Sequence, residues 1–313
     1  MGDALAIGAF LLGVVVVVWS TERLLSGLVG LATLLRAAPF VIAGVFSGLE
    51  AENIAVGVIA ARDRHVQIAL GTVLGGGSFV VCVALGLGAL LFPLRVRVPR
   101  GVLVMFAAAP VLTGVALLGG ATSRLAGGAL LVAFAAAIWY LVRASRGYAF
   151  LDDEQIREQA GQRPGWWRPV TVTVLGIAVL ALGAELVNYG ADGIIRRFAF
   201  PATVMGMVVT PAAVEAEEVV RQAVPSRHGR HDVAAGNVIG TLLYFVLFNM
   251  GLIAAVAPVP VPTRVIAVDW PFLVGAVWLA TIFLWRGRVA RWQGLVLLAA
   301  YAGYVALVAS GLG

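Results

Sequence analysis

Glu50-Ala51-Glu52-Asn53 and Glu215-Ala216-Glu217-Glu218 decide how this chain is read. Both acidic clusters lie inside long apolar stretches, where an ionised carboxylate is costly to bury. Glu52 is followed 20 residues later by Thr72, next to Gly71, and Glu217 is followed 20 residues later by Asn237, next to Gly236. An acidic cluster written twice at one spacing implies a duplicated unit that holds charge inside an apolar body.

The apolar body is set by composition. Of 313 residues, 61% are hydrophobic and 12% charged, with a mean hydropathy of +0.98. Soluble domains carry about 25% charged residues. Runs long enough to cross a bilayer, roughly 20 residues each, recur throughout. Ten segments can be delimited: Ala4–Trp19, Ala38–Ala61, Val66–Phe92, Val102–Gly119, Arg124–Val142, Val170–Gly190, Phe200–Val220, Asp232–Val256, Trp270–Trp285 and Trp292–Ala309. The expected fold class is an all-α polytopic membrane protein with ten transmembrane helices. Cys82 stands alone in an apolar segment and can form no internal disulfide. Asp3 and the lack of a basic amino-terminal region argue against a cleaved signal peptide.

All 22 basic residues are arginine. They are scattered, with no basic domain, which argues against nucleic acid as a partner. Arg62, Arg64, Arg124, Arg196, Arg197 and Arg264 fall in the loops joining segments 2–3, 4–5, 6–7 and 8–9, and the other 16 in the remaining loops. The positive-inside rule places the richer set in the cytoplasm and both termini outside. The one sizeable polar stretch, 144–168, holds Asp152-Asp153-Glu154 and Glu158 and ends at the interfacial pair Trp166-Trp167. It reads as a cytoplasmic connector, with cation binding by its acids as the alternative. It separates a first unit, 1–143, from a second, 169–313.

The two units correspond. Thr21-Glu22 closes segment 1 as Ala184-Glu185 closes segment 6. Gly71-Thr72-Val73-Leu74-Gly75 matches Gly236-Asn237-Val238-Ile239-Gly240, and Arg124-Leu125-Ala126-Gly127 matches Arg291-Trp292-Gln293-Gly294. With the acidic clusters, the offsets are 163, 165, 165 and 167. Five crossings per unit force the second to enter from the opposite face. That is an inverted-topology repeat, a plan that places a substrate site at the midplane between the repeats.

These residues resemble the cation/calcium antiporter superfamily, most closely the prokaryotic sodium/calcium exchanger type. Gly183-Ala184-Glu185-Leu186, followed by Gly190-Ala191, is similar to the family's GAEL-x3-GA segment. Gly236-Asn237-Val238-Ile239-Gly240 equals its GNVIG core. Arg291-Trp292-Gln293-Gly294-Leu295 resembles the opening of its last helix, and Phe40-Val41-Ile42 the approach to its first conserved repeat. The resemblance covers the full length. It implies two inverted five-helix repeats in a prokaryotic cell membrane, exchanging inorganic cations without a cofactor. Family spacing makes Glu218 the ion-binding glutamate of the second repeat, with Glu215 at a serine position and Thr241 at the serine after the GN pair. In the first repeat the same spacing lands on Asn53, or on Glu52 if the register slips by one. Gly76, Val80 and Phe245 replace polar residues of the pattern.

Helix geometry gives its own reading. Residues three apart share a face, and adjacent ones point about 100° apart. Glu50 and Asn53 share one face, Glu215 and Glu218 another, while Glu52 and Glu217 point elsewhere. Hard cations bind six to eight oxygens, from carboxylates, carbonyls and water. Gly75-Gly76-Gly77 and Thr210-Pro211 are expected points of helix unwinding that would offer carbonyls. The candidate metal ligands are therefore Glu50, Glu52, Asn53, Thr72, Glu215, Glu217, Glu218, Asn237 and Thr241, with Ser47 a further polar candidate. Helix-end solvation, or pairing with a buried arginine, are the alternatives for the acids. Ser47, Thr72, Asn237 and Thr241 can equally serve as interhelical hydrogen-bond partners, as can Glu22 and Glu185. His65, His228 and His231 fall in loops, and no nucleophile–base pairing suggests an enzyme. The function expected is cation antiport, Ca2+ for Na+ or H+, by alternating access. A monovalent cation/proton exchanger, a non-transporting scaffold or sensor, and a channel are the other readings.

Overall fold

A computed structural model describes residues 3–34, 51–144, 165 and 167–311. Glu50, Ser47, Phe40-Val41-Ile42, Trp166 and the acids of the connector lie outside the described residues. Lipid offers backbone groups no hydrogen-bond partner, so a chain this apolar satisfies them within helices. The helices are α1 (Asp3–Leu34), α2 (Ala51–Arg62), α3 (Val66–Leu91), α4 (Arg100–Leu117), α5 (Arg124–Ala144), α6 (Trp167–Phe198), α7 (Ala202–Val214), α8 (Ala216–Arg227), α9 (His231–Val256), α10 (Val265–Trp285) and α11 (Arg291–Ala309). Among the described residues, eight are long and apolar enough to cross a membrane, and α7 is a shorter apolar helix. With α2 and the α7–α8 pair they make the ten crossings expected.

α3 and α9 form the centre: 94% and 83% of their most apolar windows are buried, against 22–44% for the other spans. They begin and end at the same offset, 165, and each carries one widened π-helical turn, at Val80–Ala84 and Tyr244–Asn249. The expected unwinding at Gly75-Gly76-Gly77 does not occur. Those glycines stay helical because their bare faces are used for packing. A Cβ on Gly75 would lie 2.8 Å from Pro211 Cγ, and one on Gly77 3.2 Å from Leu242.

α1 and α6 are each 32 residues long and pack along each other. They run well past Glu22 and Glu185, which were expected to close them. Glu22 is exposed and Glu185 half-buried, and the α1–α6 packing, from Ala6 against Gly193 to Gly27 against Thr173, carries both helices past them. Glu185 accepts from Arg62 Nη2 at 3.0 Å, outside the apolar interior.

The two-fold relation is written in the contacts. Gly13 abuts Val187, where a Cβ would come 2.6 Å from the backbone nitrogen, and Gly176 abuts Leu24 at 3.0 Å. Adding 163 to 13 and to 24 gives 176 and 187, so these are one contact with the repeats exchanged. Likewise Gly127 on α5 meets Gly251 on α9, while Gly294 on α11 meets Gly86 on α3. Small residues at such crossings let membrane helices approach closely.

The loops obey the same relation. β1 (Leu94–Arg95) pairs antiparallel with β2 (Arg288–Val289), Leu94 opposite Val289 and Arg95 opposite Arg288. At the other end of the molecule Ala121 bridges Pro260, held by Thr122 N–H to Val259 O at 2.9 Å and Val261 N–H to Gly120 O at 2.8 Å.

Candidate cation site

The seventh crossing is broken at Glu215, whose φ of −86° and ψ of 5° leave the helical ladder between α7 and α8. The break places Glu217 and Glu218 in the first turn of α8, where the helix dipole favours negative charge. Opposite stands the beginning of the described part of α2, with Glu52 and Asn53 buried at 1% and 0% exposure. Asn53 Nδ2 donates to Glu215 Oε1, joining the two repeats through a fully buried contact.

Glu218 is held differently. Asn237 Nδ2 donates to its Oε2 at 2.7 Å, and Arg221 Nη1 to its Oε1 at 3.0 Å. Arg221 Nη2 also reaches Glu217 Oε1 at 2.9 Å. Glu217 is 22% exposed and marks the rim. Both Glu218 oxygens are thus engaged. Among the buried oxygens left without a partner are Glu52 Oε2, Asn53 Oδ1, Glu215 Oε2 and Thr210 Oγ1. A buried acceptor without a donor is expensive, and oxygens of this kind are what a hard cation takes.

Glu52 is buried beside Asn53 on α2 and is not solvated at a helix end. In the second repeat the helical wheel does not apply, because Glu215 and Glu218 straddle a break and do not share one regular helix. Thr72 is buried and donates to Ala69 O at 2.9 Å, leaving its lone pairs available. Thr241 is fully buried one turn beyond Asn237. Glu50 falls outside the described residues. Among the described residues no three His, Cys, Asp or Glu side chains are grouped to hold a metal ion by themselves. A cation held here would need amide, hydroxyl and backbone oxygens as well.

Thr210-Pro211, where unwinding was expected, stays helical, and Thr210 is buried on α7 five residues before Glu215. Two residues were missed. Arg221 follows Glu217 by four and Glu218 by three, the spacing of a helical ion pair, and that signal was present in the sequence. Gln222, one turn past Glu218, is fully buried with both amide atoms unpartnered. Nothing in its local sequence marks it.

Elsewhere the polar candidates are structural. His65 lies 3.7 Å from Asp192, and His228 Nδ1 is 2.9 Å from Val224 O. Phe245, at a position where the resemblance implied a polar residue, is fully buried in the centre. Its ring faces Gly76, and a Cβ there would meet Phe245 Cε1 at 3.0 Å.

Comparison with known proteins agrees with this architecture. A model described as "Sodium/calcium exchanger protein" matches residues 5–143 and 169–309. CaxA of Alkalimonas amylolytica, a proposed antiporter, is 26% identical over 96% of this chain and 97% of its own length. Inner membrane protein YrbG of Escherichia coli K12 is 25% identical over 97% of each chain. A solved structure of the sodium-calcium exchanger NCX_Mj, soaked with Na+ and Sr2+, superposes with a TM-score of 0.64, at 21% identity. That match covers 97% of this chain and 99% of the other.

Proposed function

The chain belongs to the sodium/calcium exchanger protein family, and from that premise we propose that it exchanges Ca2+ for Na+ or H+ by alternating access. The cation sits among Glu52, Asn53, Glu215 and Thr210. Glu218 and Asn237 form the adjoining wall, and Glu217 and Arg221 the rim. The carrying observation is the Asn53–Glu215 contact: it joins the repeats at one buried point and leaves an oxygen of each side chain unpartnered.

Two carboxylates, Glu52 and Glu215, match the charge of one divalent ion. Arg221 neutralises much of the neighbouring pair, Glu217 and Glu218, which holds them beside the ion without a large excess of negative charge. When the ion enters, Asn53 need only turn its amide to present Oδ1. The inverted repeats then expose this point to one membrane face at a time. Protons compete with the cation for the same carboxylates, and the replacement of family hydroxyls by acids tilts coupling toward H+. The molecule resides in a prokaryotic cell membrane with both termini outside, and its repeats occupy 1–143 and 169–313 about a cytoplasmic connector. The whole cycle runs on ion gradients, with no covalent step.

The test is Ca2+ uptake into proteoliposomes under imposed Na+ or pH gradients. Uptake driven by either gradient is expected. Uptake in Glu215→Gln at the wild-type rate would place the ion elsewhere.

A further inference from the structure

We propose that an arginine pocket beside the β1–β2 ladder binds the phosphate headgroup of an anionic phospholipid. The pocket has a volume of about 280 Å³ and lies between Arg97, Arg100 and Leu103 on one side and Trp285, Arg286 and Gly287 on the other. Arg95, Arg288 and Arg291 stand close by in sequence, and all six arginines are exposed. No acidic residue occurs in 92–101 or 285–292. Arg97, Arg100 and Arg286 make no ion pair with any described residue.

The ladder itself argues for an anion. Arg95 stands directly opposite Arg288, and like charges in that position destabilise a strand pair. The two-fold-related bridge, Ala121 to Pro260, shows that the fold does not need them. The equivalent stretches there, 118–125 and 257–266, carry two arginines, Arg124 and Arg264, against six here. A topological signal requires only that arginines lie in the loop. Here they are folded around a pocket, and the Arg100 guanidinium is held 5.7 Å from the centre of the Trp285 ring.

The surroundings select a lipid. Trp285, Trp292 and Leu91 are 49%, 56% and 54% exposed, and tryptophans of this kind sit at headgroup depth. Guanidinium groups suit phosphate because they bind it through paired N–H donors. Basic pockets between membrane helices are a general means of holding anionic headgroups.

Native mass spectrometry of the whole chain in detergent tests this, with phosphatidylglycerol, phosphatidylcholine and inorganic phosphate as probes. Phosphatidylglycerol is expected to be retained over phosphatidylcholine. Arg286→Gln is expected to weaken its binding about fivefold, the weight of one arginine at an anionic surface, while Arg124→Gln on the opposite face leaves it unchanged. If Arg286→Gln does not assemble, Trp285→Leu keeps every charge and is expected to weaken binding roughly threefold. Equal retention of the two lipids, or wild-type affinity in the assembled variant, would overturn the proposal. So would full displacement of phosphatidylglycerol by millimolar inorganic phosphate, which would assign the pocket to a soluble anion. Amide replacement of Asp152, Asp153 and Glu154 tests the connector as a rival occupant. A several-fold rise in lipid binding would show that the connector fills the pocket, and an unchanged affinity supports the lipid.

Discussion

Asn53 and Glu215, 162 residues apart, share a hydrogen bond at a point where both are buried. It is a side-chain link between the repeats at the candidate site, and it leaves one oxygen free on each partner. Glu215→Gln and Asn53→Ala are each expected to abolish Ca2+-dependent thermal stabilisation and to lower uptake by about tenfold or more, since each removes an oxygen from a hard-cation site. Melting curves with and without Ca2+ check the first effect, and proteoliposome uptake the second.

Arg221 binds both Glu217 and Glu218. Arg221→Gln removes a positive charge from beside the site. Without Ca2+ the variant is expected to lose about 1–3 kcal/mol, less than a fully buried pair would cost, because Arg221 is 29% exposed. With Ca2+ the loss is expected to be recovered and apparent affinity to rise roughly tenfold, about 1.4 kcal/mol. A variant that stays destabilised at saturating Ca2+ would make Arg221 purely a structural anchor.

Acidification is expected to weaken Ca2+ uptake. If each bound ion displaces one proton, the apparent KM rises about tenfold per pH unit on the acid side. A profile shared by several neighbouring carboxylates is assigned to the cluster and not to one residue. Uptake measured across pH with a fixed Na+ gradient checks the slope. A flat profile would remove proton competition from the mechanism.

Gly76 faces the Phe245 ring. Restoring a hydroxyl with Gly76→Ser is expected to cost about 1–3 kcal/mol through overpacking. The cost should shrink in a Phe245→Leu background, and a double-mutant cycle on melting temperature isolates that coupling.

The ten crossings and the repeat were legible because apolar length and a steady offset survive without knowledge of packing. The ends of α1 and α6 were not. Glu22 and Glu185 looked like stops, but α1 and α6 stay packed on each other beyond them, and Glu185 is paired with Arg62. Of the candidate site, Asn53, Glu215, Glu218 and Asn237 were named from the acidic clusters and the family resemblance, and the hydrogen bonds among them are what the structure adds. The break at Glu215 was not legible, because a wheel drawn on an unbroken helix cannot anticipate it. Arg221 was readable from its spacing to the acids. Gln222 was not, because its burial depends on Gly88 of α3, far away in sequence, where a Cβ would lie 2.6 Å from Gln222 Cγ.

Gly13 against Val187 and Gly176 against Leu24 are one junction built twice, upside down relative to the bilayer. The molecule therefore carries its own internal reference. The same substitution made at Gly13 and at Gly176 alters equivalent crossings in opposite leaflets, one against Val187 and the other against Leu24. Once Val187 and Leu24 are made the same residue, the difference between the two variants measures what the membrane's sidedness contributes.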